Sequence, residues 1–280
     1  MIVLSHFQAK ECLQAQQAGL DQVESSLDLN RSRQTLLLNE VGLQLPDGHH
    51  LSWDQLGLIA SEENKCFRWD AGNLAEIRVF SEHTNWLRSL YPTPSAPTTL
   101  VSGTPMHRIK NTDPLRDTLA KIKAARPTGQ VLDTATGLGY TAIEAAKLAE
   151  QVTTVELDPA ALEICRLNPW SQDLFDNPKI SLLVGDVFDV VEEADSSRFS
   201  TIIHDPPVFS LAGDLYSTDF YRELYRVLTH RGRLFHYIGD PDSKSGQGVT
   251  RGVIKRLGEA GFERIKRRPE AFGVLAFKTS

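Results

Sequence analysis

The sequence predicts an α/β protein with an open, mainly parallel β-sheet, preceded by a small α+β module. In the second half of the chain, apolar runs of strand length alternate with stretches long enough for helices. Each run leads into an acidic residue, and the runs are residues 131–132, 152–155, 180–184 and 201–204. Ligands bind outside the carboxyl ends of the strands in such a sheet. The strand ends are therefore expected to converge on one crevice.

The first run leads into a glycine-containing turn and then a helix. The turn reads Asp133, Thr134, Ala135, Thr136, Gly137, Leu138, Gly139 and Tyr140. Glycines lack the Cβ that would block close approach, and the N–H groups at a helix N-terminus attract anionic groups. Glu156 ends the next strand, near the spacing of roughly twenty residues at which an acid takes the ribose hydroxyls. These features indicate a nucleotide-like ligand.

Residues 129–280 resemble a class I S-adenosylmethionine-dependent methyltransferase, in which this turn reads D-x-G-x-G-x-G. Ala135 stands where the first glycine is usual. The resemblance implies a seven-stranded Rossmann-like methyltransferase sheet, with S-adenosylmethionine as the cofactor. It also implies that Glu156 holds the ribose and Asp186 the adenine amino group. The candidate cofactor-binding residues are Asp133, Ala135, Thr136, Gly137, Gly139, Glu156, Leu157, Asp186 and Val187.

The fourth run ends in Asp205, Pro206 and Pro207, which are the candidate catalytic residues. They resemble the (N/D)-P-P-(Y/F/W) motif of enzymes that methylate nucleobase amino groups and glutamine side-chain amides. An acceptor amine that donates hydrogen bonds to the Asp205 carboxylate and the Pro206 carbonyl would have its lone pair freed for attack. Consecutive prolines fix that carbonyl and offer no competing N–H. We therefore expect N-methylation of an amino or amide group.

The sequence departs from the motif at one position, and this leaves the class of the methyl acceptor undecided. Val208 stands where the stacking aromatic is expected, and Phe209 follows it. Adjacent residues of an extended segment face opposite ways, so Phe209 is not an equivalent platform. A protein side chain, a small molecule and an RNA base remain as acceptors. His107 and Arg108, in the polar segment entering the domain, join Val208 and Phe209 as candidate substrate-binding residues, because binding residues concentrate on such loops.

Two further enzyme classes use a similar fold. Aminopropyltransferases of the polyamine-synthase type share it, carry a small β-rich N-terminal unit, and attack a different carbon of decarboxylated S-adenosylmethionine. They remain the alternative function. An NAD-dependent dehydrogenase has G-x-G-x-x-G, where this chain has Ala142 as the last residue, and hydride transfer has no use for Asp205-Pro206-Pro207. Two roles remain for His204 and His236: each could be a general base or a hydrogen-bonded core residue.

Composition limits the function. The 280 residues include 41% hydrophobic and 24% charged residues, as in an ordinary globular protein. A net charge of −6 argues against a broad phosphate-binding surface. Three widely spaced cysteines form no metal or disulfide pattern, so no metal is expected. Without a signal or membrane-spanning segment, a cytoplasmic location is expected. The expected partners are the methyl acceptor and a second copy of the chain in a homodimer.

Residues 1–100 are predicted to form the α+β module with a Pro-rich linker at 91–99, and residues 101–280 the cofactor-binding domain. Within the module we expect a helix at 6–19, hairpins at 36–52 and 66–80, and a helix opened by the capping box of Ser52 and Gln55. In the domain, Pro114 is expected to start a helix, strand five to follow a turn at Gly232, and a hairpin at 262–278 to close the sheet.

Overall fold

The structure of the protein is a computed structural model that describes residues 1–207, 212–240 and 243–279. Val208 and Phe209, two of the candidate substrate-binding residues, lie outside the described residues. The chain divides into two compact units. The first contains Met1–Leu115 and Ala160–Gln172, and the second contains Arg116–Pro159 and Asp173–Ser280.

The first unit is built from short antiparallel strands and two helices along its N-terminal part. Its helices are α1 (His6–Gln17) and α2 (Trp53–Ser61). The strands are β1 (Ile2–Ser5), β2 (Gln22–Ser25), β3 (Gln34–Leu37), β4 (Gly42–Gln44), β5 (His50–Ser52), β6 (Cys66–Asp70), β7 (Asn73–Glu76), β8 (Arg78–Ser81), β9 (Trp86–Tyr91), β10 (Thr98–Val101) and β11 (Thr104–Pro105). Over the described residues they pair in the orders β1-β6-β7, β11-β10-β9-β8, β2-β3 and β4-β5.

Local signals place both helices in the N-terminal part of this unit. Ser52 caps α2: its hydroxyl accepts from the Gln55 N–H at 3.2 Å, and the Gln55 side chain accepts from the Ser52 N–H at 3.0 Å. Ser5 and Gln8 form the same capping box at α1. Each box satisfies N–H groups that the first helical turn leaves unpaired. The capping pattern at Ser52 and the helix within residues 6–19 are thus present as predicted.

The Pro-rich segment does not separate the two units. β9 and β10, on either side of it, pair antiparallel with Tyr91 opposite Thr98. The segment is the loop of this hairpin, and Thr93 orders it by donating from its hydroxyl to the Ala96 carbonyl at 2.8 Å. Proline-rich composition predicts extended backbone, but it does not distinguish a linker from a hairpin loop whose polar groups are satisfied within the loop.

The second unit holds a mainly parallel sheet, seven-stranded in the part of the chain that the structure describes, in the order β14-β13-β12-β15-β16-β18-β17. β18 runs antiparallel to both of its neighbours. The strands are β12 (Gln130–Asp133), β13 (Gln151–Glu156), β14 (Ile180–Val184), β15 (Phe199–His204), β16 (Leu228–Tyr237), β17 (Glu263–Arg268) and β18 (Gly273–Phe277). This is the predicted fold class, including the closing hairpin.

Helices alternate with these strands along the chain. They are α3 (Pro114–Ala125), α4 (Tyr140–Ala146), α5 (Pro159–Leu167), α6 (Asp173–Asp176), α7 (Val187–Glu193), α8 (Thr218–Val227) and α9 (Lys244–Glu259). Pro114 starts α3 as predicted, since proline fits the first helical position. None of the described helices is long and apolar enough to cross a membrane.

The start of β16 differs from its prediction. β16 begins at Leu228, and Gly232 lies within it instead of forming a turn before it. A bulge accommodates the early start, because the register with β15 shifts between Phe199 and Thr201. The strands β15, β16 and β18 and the helices α7, α8 and α9 contribute side chains to one hydrophobic core. This core includes Ile202, Leu224 and Leu234.

Candidate active site

The turn after β12 folds tightly because of its two glycines. Gly137 and Gly139 have φ values of +53° and +78°, a region that glycine enters without steric cost. The Gly139 N–H donates to the Thr136 carbonyl at 2.7 Å, and α4 begins at the next residue. A Cβ at Gly139 would lie 2.9 Å from Leu174 Cδ2, whereas one at Gly137 would meet nothing within 4 Å. Gly137 is exposed, so this part of the turn is open to a ligand.

Glu156, at the end of β13, reaches back to that turn. One carboxylate oxygen, Oε2, accepts the Gly137 N–H at 3.0 Å, and Oε1 accepts the Asp158 N–H at 3.0 Å. The structure therefore brings together the two features that the sequence linked by spacing. Leu157, the next residue, is 48% exposed beside this carboxylate.

Asp133 is fully buried at the end of β12. Its Oδ2 accepts hydrogen bonds from the Thr141 and Thr154 hydroxyls, both at 3.0 Å. Its Oδ1 is buried without a hydrogen-bond partner among the described residues. Burial raises the pKa of Asp133 to about 7, although the two threonine hydrogen bonds oppose the increase. A neutral carboxyl, able to donate from one oxygen, is therefore accessible near neutral pH.

Asp186 caps the helix that follows β14. Its carboxylate accepts the Phe188 N–H at 2.8 Å, as expected of an N-cap aspartate. The Gly185 N–H donates to the Glu156 carbonyl at 2.9 Å, so the ends of β13 and β14 are joined directly. Asp186 is exposed, and Val187 beside it is buried. The predicted adenine ligand thus neighbours the predicted ribose ligand.

Asp205 follows β15 and takes part in a buried cluster of charges. Lys121 Nζ donates to Asp205 Oδ2 at 2.5 Å and lies 2.9 Å from Asp117 Oδ2. The Lys121 and Asp117 side chains are 2% and 0% exposed, and that of Asp205 is 19% exposed. The Lys121 ammonium also lies 4.2 Å from the centroid of the Tyr237 ring. We call Asp117, Lys121 and Asp205 the acid–lysine cluster.

The pKa values of this cluster follow from burial and from the mutual charges. Burial raises the pKa of Asp205, Lys121 lowers it, and Asp117 raises it, with a net increase. Burial alone would lower the pKa of Lys121, but the two carboxylates outweigh it and the pKa is raised. Lys121 is therefore a permanent cation at physiological pH, placed between two acids.

Tyr216 contacts the segment Pro206-Pro207 through a hydrogen bond to its second residue. The Tyr216 hydroxyl donates to the Pro207 carbonyl at 3.1 Å. Arg256 in turn donates from Nε to the Tyr216 carbonyl at 2.7 Å. Pro206 is buried and Pro207 half-buried. The Pro207 carbonyl thus has a fixed direction.

Both histidines near the site are buried core residues. His204 Nε2 lies 2.9 Å from the Leu215 carbonyl, which can only accept, so Nε2 carries the proton and Nδ1 accepts from the Thr134 hydroxyl at 2.7 Å. Burial lowers the pKa of His204 to about 3. His236 contacts the Tyr221 hydroxyl at 2.9 Å, and burial lowers its pKa well below the usual value. Both rings are therefore neutral near pH 7, which favours the core interpretation over the general base.

His107 and Arg108 belong to the first unit and follow β11. His107 Nδ1 lies 3.0 Å from the Thr98 hydroxyl, which also accepts the His107 N–H at 3.2 Å. Both side chains are half-buried. Their assignment to the substrate site stays a prediction.

Sequence reasoning did not find Lys121, Asp117 or Tyr216. The signal for the first two is their spacing of four residues on α3, which places them on one helix face. That spacing is common on solvated helices, so it did not indicate burial. Tyr216 carries no motif, and its role depends on the fold of the turn before α8.

The residues at the strand ends fit S-adenosylmethionine. The open glycine turn and the Glu156 carboxylate suit a nucleoside, and the unpartnered Asp133 Oδ1 suits a hydrogen-bonding group of the ligand. When bound, this cofactor supplies an activated sulfonium methyl group. Among the described residues, no group of histidine, cysteine and acidic side chains is placed to hold a metal ion.

Comparison with known families defines the class. Residues 105–239 match the family model of the methyltransferase small domain. With the seven-stranded sheet and its glycine turn, this match defines a class I S-adenosylmethionine-dependent methyltransferase, and S-adenosylmethionine is the cofactor. The chain belongs to the same family as "Uncharacterized protein MJ1233" of Methanocaldococcus jannaschii. The two are 40% identical over 277 residues, covering 96% of this chain and 93% of that protein.

Two other relatives carry a different reaction in their names. The polyamine aminopropyltransferase of Sulfolobus acidocaldarius is 31% identical over 99 residues, which are 34% of this chain and 33% of that protein. The solved structure of spermidine synthase from Thermotoga maritima has a TM-score of 0.55 at 16% identity, covering 76% of this chain and 78% of that one. At this identity the structural likeness establishes the fold alone.

Proposed function

We propose that this methyltransferase transfers the methyl group to the nitrogen of an amine or amide held by Asp205, Pro206 and Pro207. The observation that carries the proposal is the placement of Asp205. Its carboxylate lies at the end of β15 and is fixed through Oδ2 by Lys121. Two prolines follow it, and the carbonyl of the second accepts a hydrogen bond from Tyr216. A fixed acceptor group at this strand end can orient an N–H donor.

The cofactor roles proposed for the strand ends follow the same geometry. Glu156 would receive the ribose hydroxyls in place of the Gly137 N–H that it accepts in the structure. Asp186, joined to β13 through the Gly185 N–H, would lie at the adenine. Asp133 would receive or donate a hydrogen bond through Oδ1. These assignments place the nucleoside over the glycine turn and leave Asp205 for the acceptor.

The surroundings of Asp205 favour an amine over a nucleobase. Asp117 and Asp205 contribute two acidic groups, and Asp133, with a pKa raised to about 7, adds a third that is partly ionised at neutral pH. Lys121 is the one cation among the described residues that perturb the pKa of Asp133 or Asp205. Such an excess attracts a cationic amine and repels phosphate. The net charge of −6 acts in the same direction. An amine side chain of a protein and a small aliphatic amine are therefore the preferred acceptors, and an RNA base is the less favoured one.

For an amine acceptor, the chemistry required of the protein is mostly positioning. The nitrogen must lie in line with the bond between sulfur and methyl carbon, with its lone pair free. Hydrogen bonds to Asp205 and to a proline carbonyl would direct two N–H groups away from that line. An amine that arrives protonated first gives up one proton to water, which frees the lone pair. The nitrogen then attacks the methyl carbon, the C–S bond breaks with its electron pair going to sulfur, and the methylated ammonium can pass a proton to the Asp205 carboxylate.

The proposal is tested by supplying S-adenosylmethionine labelled in the methyl group together with fractionated cell extract. Label is expected in small molecules or protein, attached to nitrogen, and absent when Asp205→Ala replaces the parental protein. Glu150→Ala, a change at the exposed residue before β13, is the matched control and should retain transfer. Label that enters a carbon or oxygen atom, or that is unaffected by Asp205→Ala, contradicts the proposal.

A second candidate is aminopropyl transfer to an amine. It is favoured by the match to the Sulfolobus acidocaldarius aminopropyltransferase and by the same acidic excess, since both reactions need a nucleophilic amine. The two differ in the cofactor carboxylate, which decarboxylated S-adenosylmethionine lacks. Each cofactor form should be supplied with a mixture of aliphatic diamines and the products weighed by mass spectrometry. Addition of a methyl group supports the first candidate, and addition of an aminopropyl group supports the second.

A further inference from the structure

We propose that Lys121 is the positioning residue for Asp205: anchored by Asp117, its ammonium fixes Oδ2 of Asp205 and leaves Oδ1 for the N–H of the acceptor. This inference rests on the proposed function, because it assigns how the acceptor carboxylate is held in that same site. It concerns a residue of α3, outside the strand ends and the glycine turn.

The first support is the burial of the acid–lysine cluster. Lys121 is 2% exposed and Asp117 is 0% exposed, yet the two are linked at 2.9 Å. Burying an ammonium costs several kcal/mol unless it is well paired. A buried lysine in this position therefore points to a requirement for a cation next to Asp205, since an apolar side chain could fill the same space.

The second support is the directional restraint on the ammonium. Asp117 and Asp205 contact it from two sides, and the Tyr237 ring faces it at 4.2 Å. The interaction with an aromatic face adds to the hold on the cation. Within the described residues, the Asp205 side chain accepts one hydrogen bond, from Lys121 to Oδ2. The other oxygen, Oδ1, therefore remains for the N–H of the amine substrate, and the side chain is 19% exposed.

The third support is the charge balance at Asp205. The titratable and charged groups that face it or its partner come from several elements: Lys121 and Asp117 of α3, Asp133 of β12, Tyr216 of the turn before α8, and Tyr237 of β16. Burial and Asp117 raise the pKa of Asp205, and Lys121 is the group that lowers it. Without Lys121, the Asp205 carboxylate would become protonated closer to neutral pH. The protonated carboxyl would accept a weaker hydrogen bond from the N–H of the amine that is to be methylated.

The inference predicts opposite effects for two neighbouring substitutions. Lys121→Met removes the positive charge and should raise the titration midpoint of Asp205 by about one pH unit or more. Asp117→Asn removes a negative charge while keeping Lys121, and should lower the midpoint. Lys121→Arg keeps the charge and should restore a midpoint close to the parental one. Lys123→Met, on the exposed face of α3, should leave it unchanged.

The experiment is a pH titration of the full chain labelled with carbon-13 in its aspartate carboxyl groups, followed by NMR. The Asp205 signal is assigned as the one missing in Asp205→Asn. Opposite shifts in Lys121→Met and Asp117→Asn support the inference. Shifts of the same sign, or none, overturn it, because removal of an adjacent cation and removal of an adjacent anion must move the Asp205 titration in opposite directions. If Lys121→Met fails to fold, Asp117→Asn and Lys121→Arg still decide the question.

The acceptor is not needed for this titration, so the inference and the proposed function can fail separately. Calorimetry with S-adenosylmethionine should give affinities within about twofold of the parental value for Lys121→Met, since Lys121 is assigned to the acceptor side. Loss of cofactor affinity by about tenfold or more would place Lys121 in the cofactor site and overturn the assignment. Methyl transfer that fails in the parental protein would count against the proposed function alone.

Discussion

The carboxylate of Glu156 accepts the backbone N–H of Gly137 at 3.0 Å, so the acid at the end of β13 is bonded to the glycine turn after β12. The same carboxylate accepts the Asp158 N–H through its other oxygen. Two N–H donors fix its position before any ligand arrives. A ligand that replaces the Gly137 N–H therefore meets a preorganised group.

Glu156→Ala is expected to weaken S-adenosylmethionine binding by about 1–3 kcal/mol, the usual effect of leaving a partner group unpaired. Isothermal titration calorimetry on the folded variant measures this. Glu156→Gln keeps one oxygen for the Gly137 N–H and should lie between the parental protein and the alanine variant. Glu150→Ala, at the other end of β13, is the control and should bind normally. Parental affinity in Glu156→Ala would remove Glu156 from the cofactor site.

Asp205→Ala is expected to lower turnover by roughly 10²–10³, by analogy with the loss of one preorganised hydrogen bond in a transition state. Cofactor affinity should stay nearly intact, because Asp205 is assigned to the acceptor. Asp205→Asn keeps an acceptor oxygen and should retain more activity than the alanine variant. Steady-state kinetics and calorimetry together test this. If a folded Asp205→Ala protein kept the parental turnover, the segment Asp205-Pro206-Pro207 would serve only to end β15.

Asp133 should make the stability of the protein depend on pH. Burial raises its pKa from 3.8 to about 7, so the folded protein holds a proton that the unfolded chain has lost. This stabilising contribution is complete below the unfolded pKa and is lost as the pH rises to about 7. Asp133→Asn cannot ionise and should show a smaller decrease in unfolding free energy between about pH 4 and about pH 7. Denaturant titrations at both pH values measure the difference, and equal slopes in the two proteins would contradict it.

Gly139→Ala should destabilise the protein more than Gly137→Ala. Both positions have positive φ, where a Cβ costs about 1–2 kcal/mol. At Gly139 the new Cβ would also lie 2.9 Å from Leu174, whereas at Gly137 it meets open space. Gly137→Ala should instead act mainly on cofactor affinity. Unfolding free energies from urea titration separate the two, and equal values for both variants would show that the contact with Leu174 relaxes freely.

The arrangement of the candidate cofactor residues at the strand ends was predictable from the sequence because its signals are local. The glycine turn, Glu156 and Asp186 each follow an apolar run, and in parallel strands the run fixes where the acid emerges. The register then brings them together without further information, as the Gly185 N–H bonded to the Glu156 carbonyl shows. The strand Ile180–Val184 has the predicted bounds for the same reason.

The surroundings of Asp205, the candidate acceptor residue, depend on contacts between distant parts of the chain. Lys121 and Asp205 are 84 residues apart, and nothing in the pattern of α3 distinguishes a buried lysine from a solvated one. Tyr216 similarly finds the Pro207 carbonyl through an irregular turn. The hairpin loop at 91–99 shows the converse, since its composition resembles a linker and only the pairing of Tyr91 with Thr98 makes it part of a sheet. Long-range pairing decided these features, and single-residue propensities do not encode it.

β17 stands at the end of the strand order, so one of its edges has no strand partner among the described residues, while β18 pairs with the other edge. An open strand edge is a template for pairing with a second chain. The basic residues Arg264, Lys266 and Arg267 lie on this edge strand, and their like charges oppose such pairing between two copies of the protein.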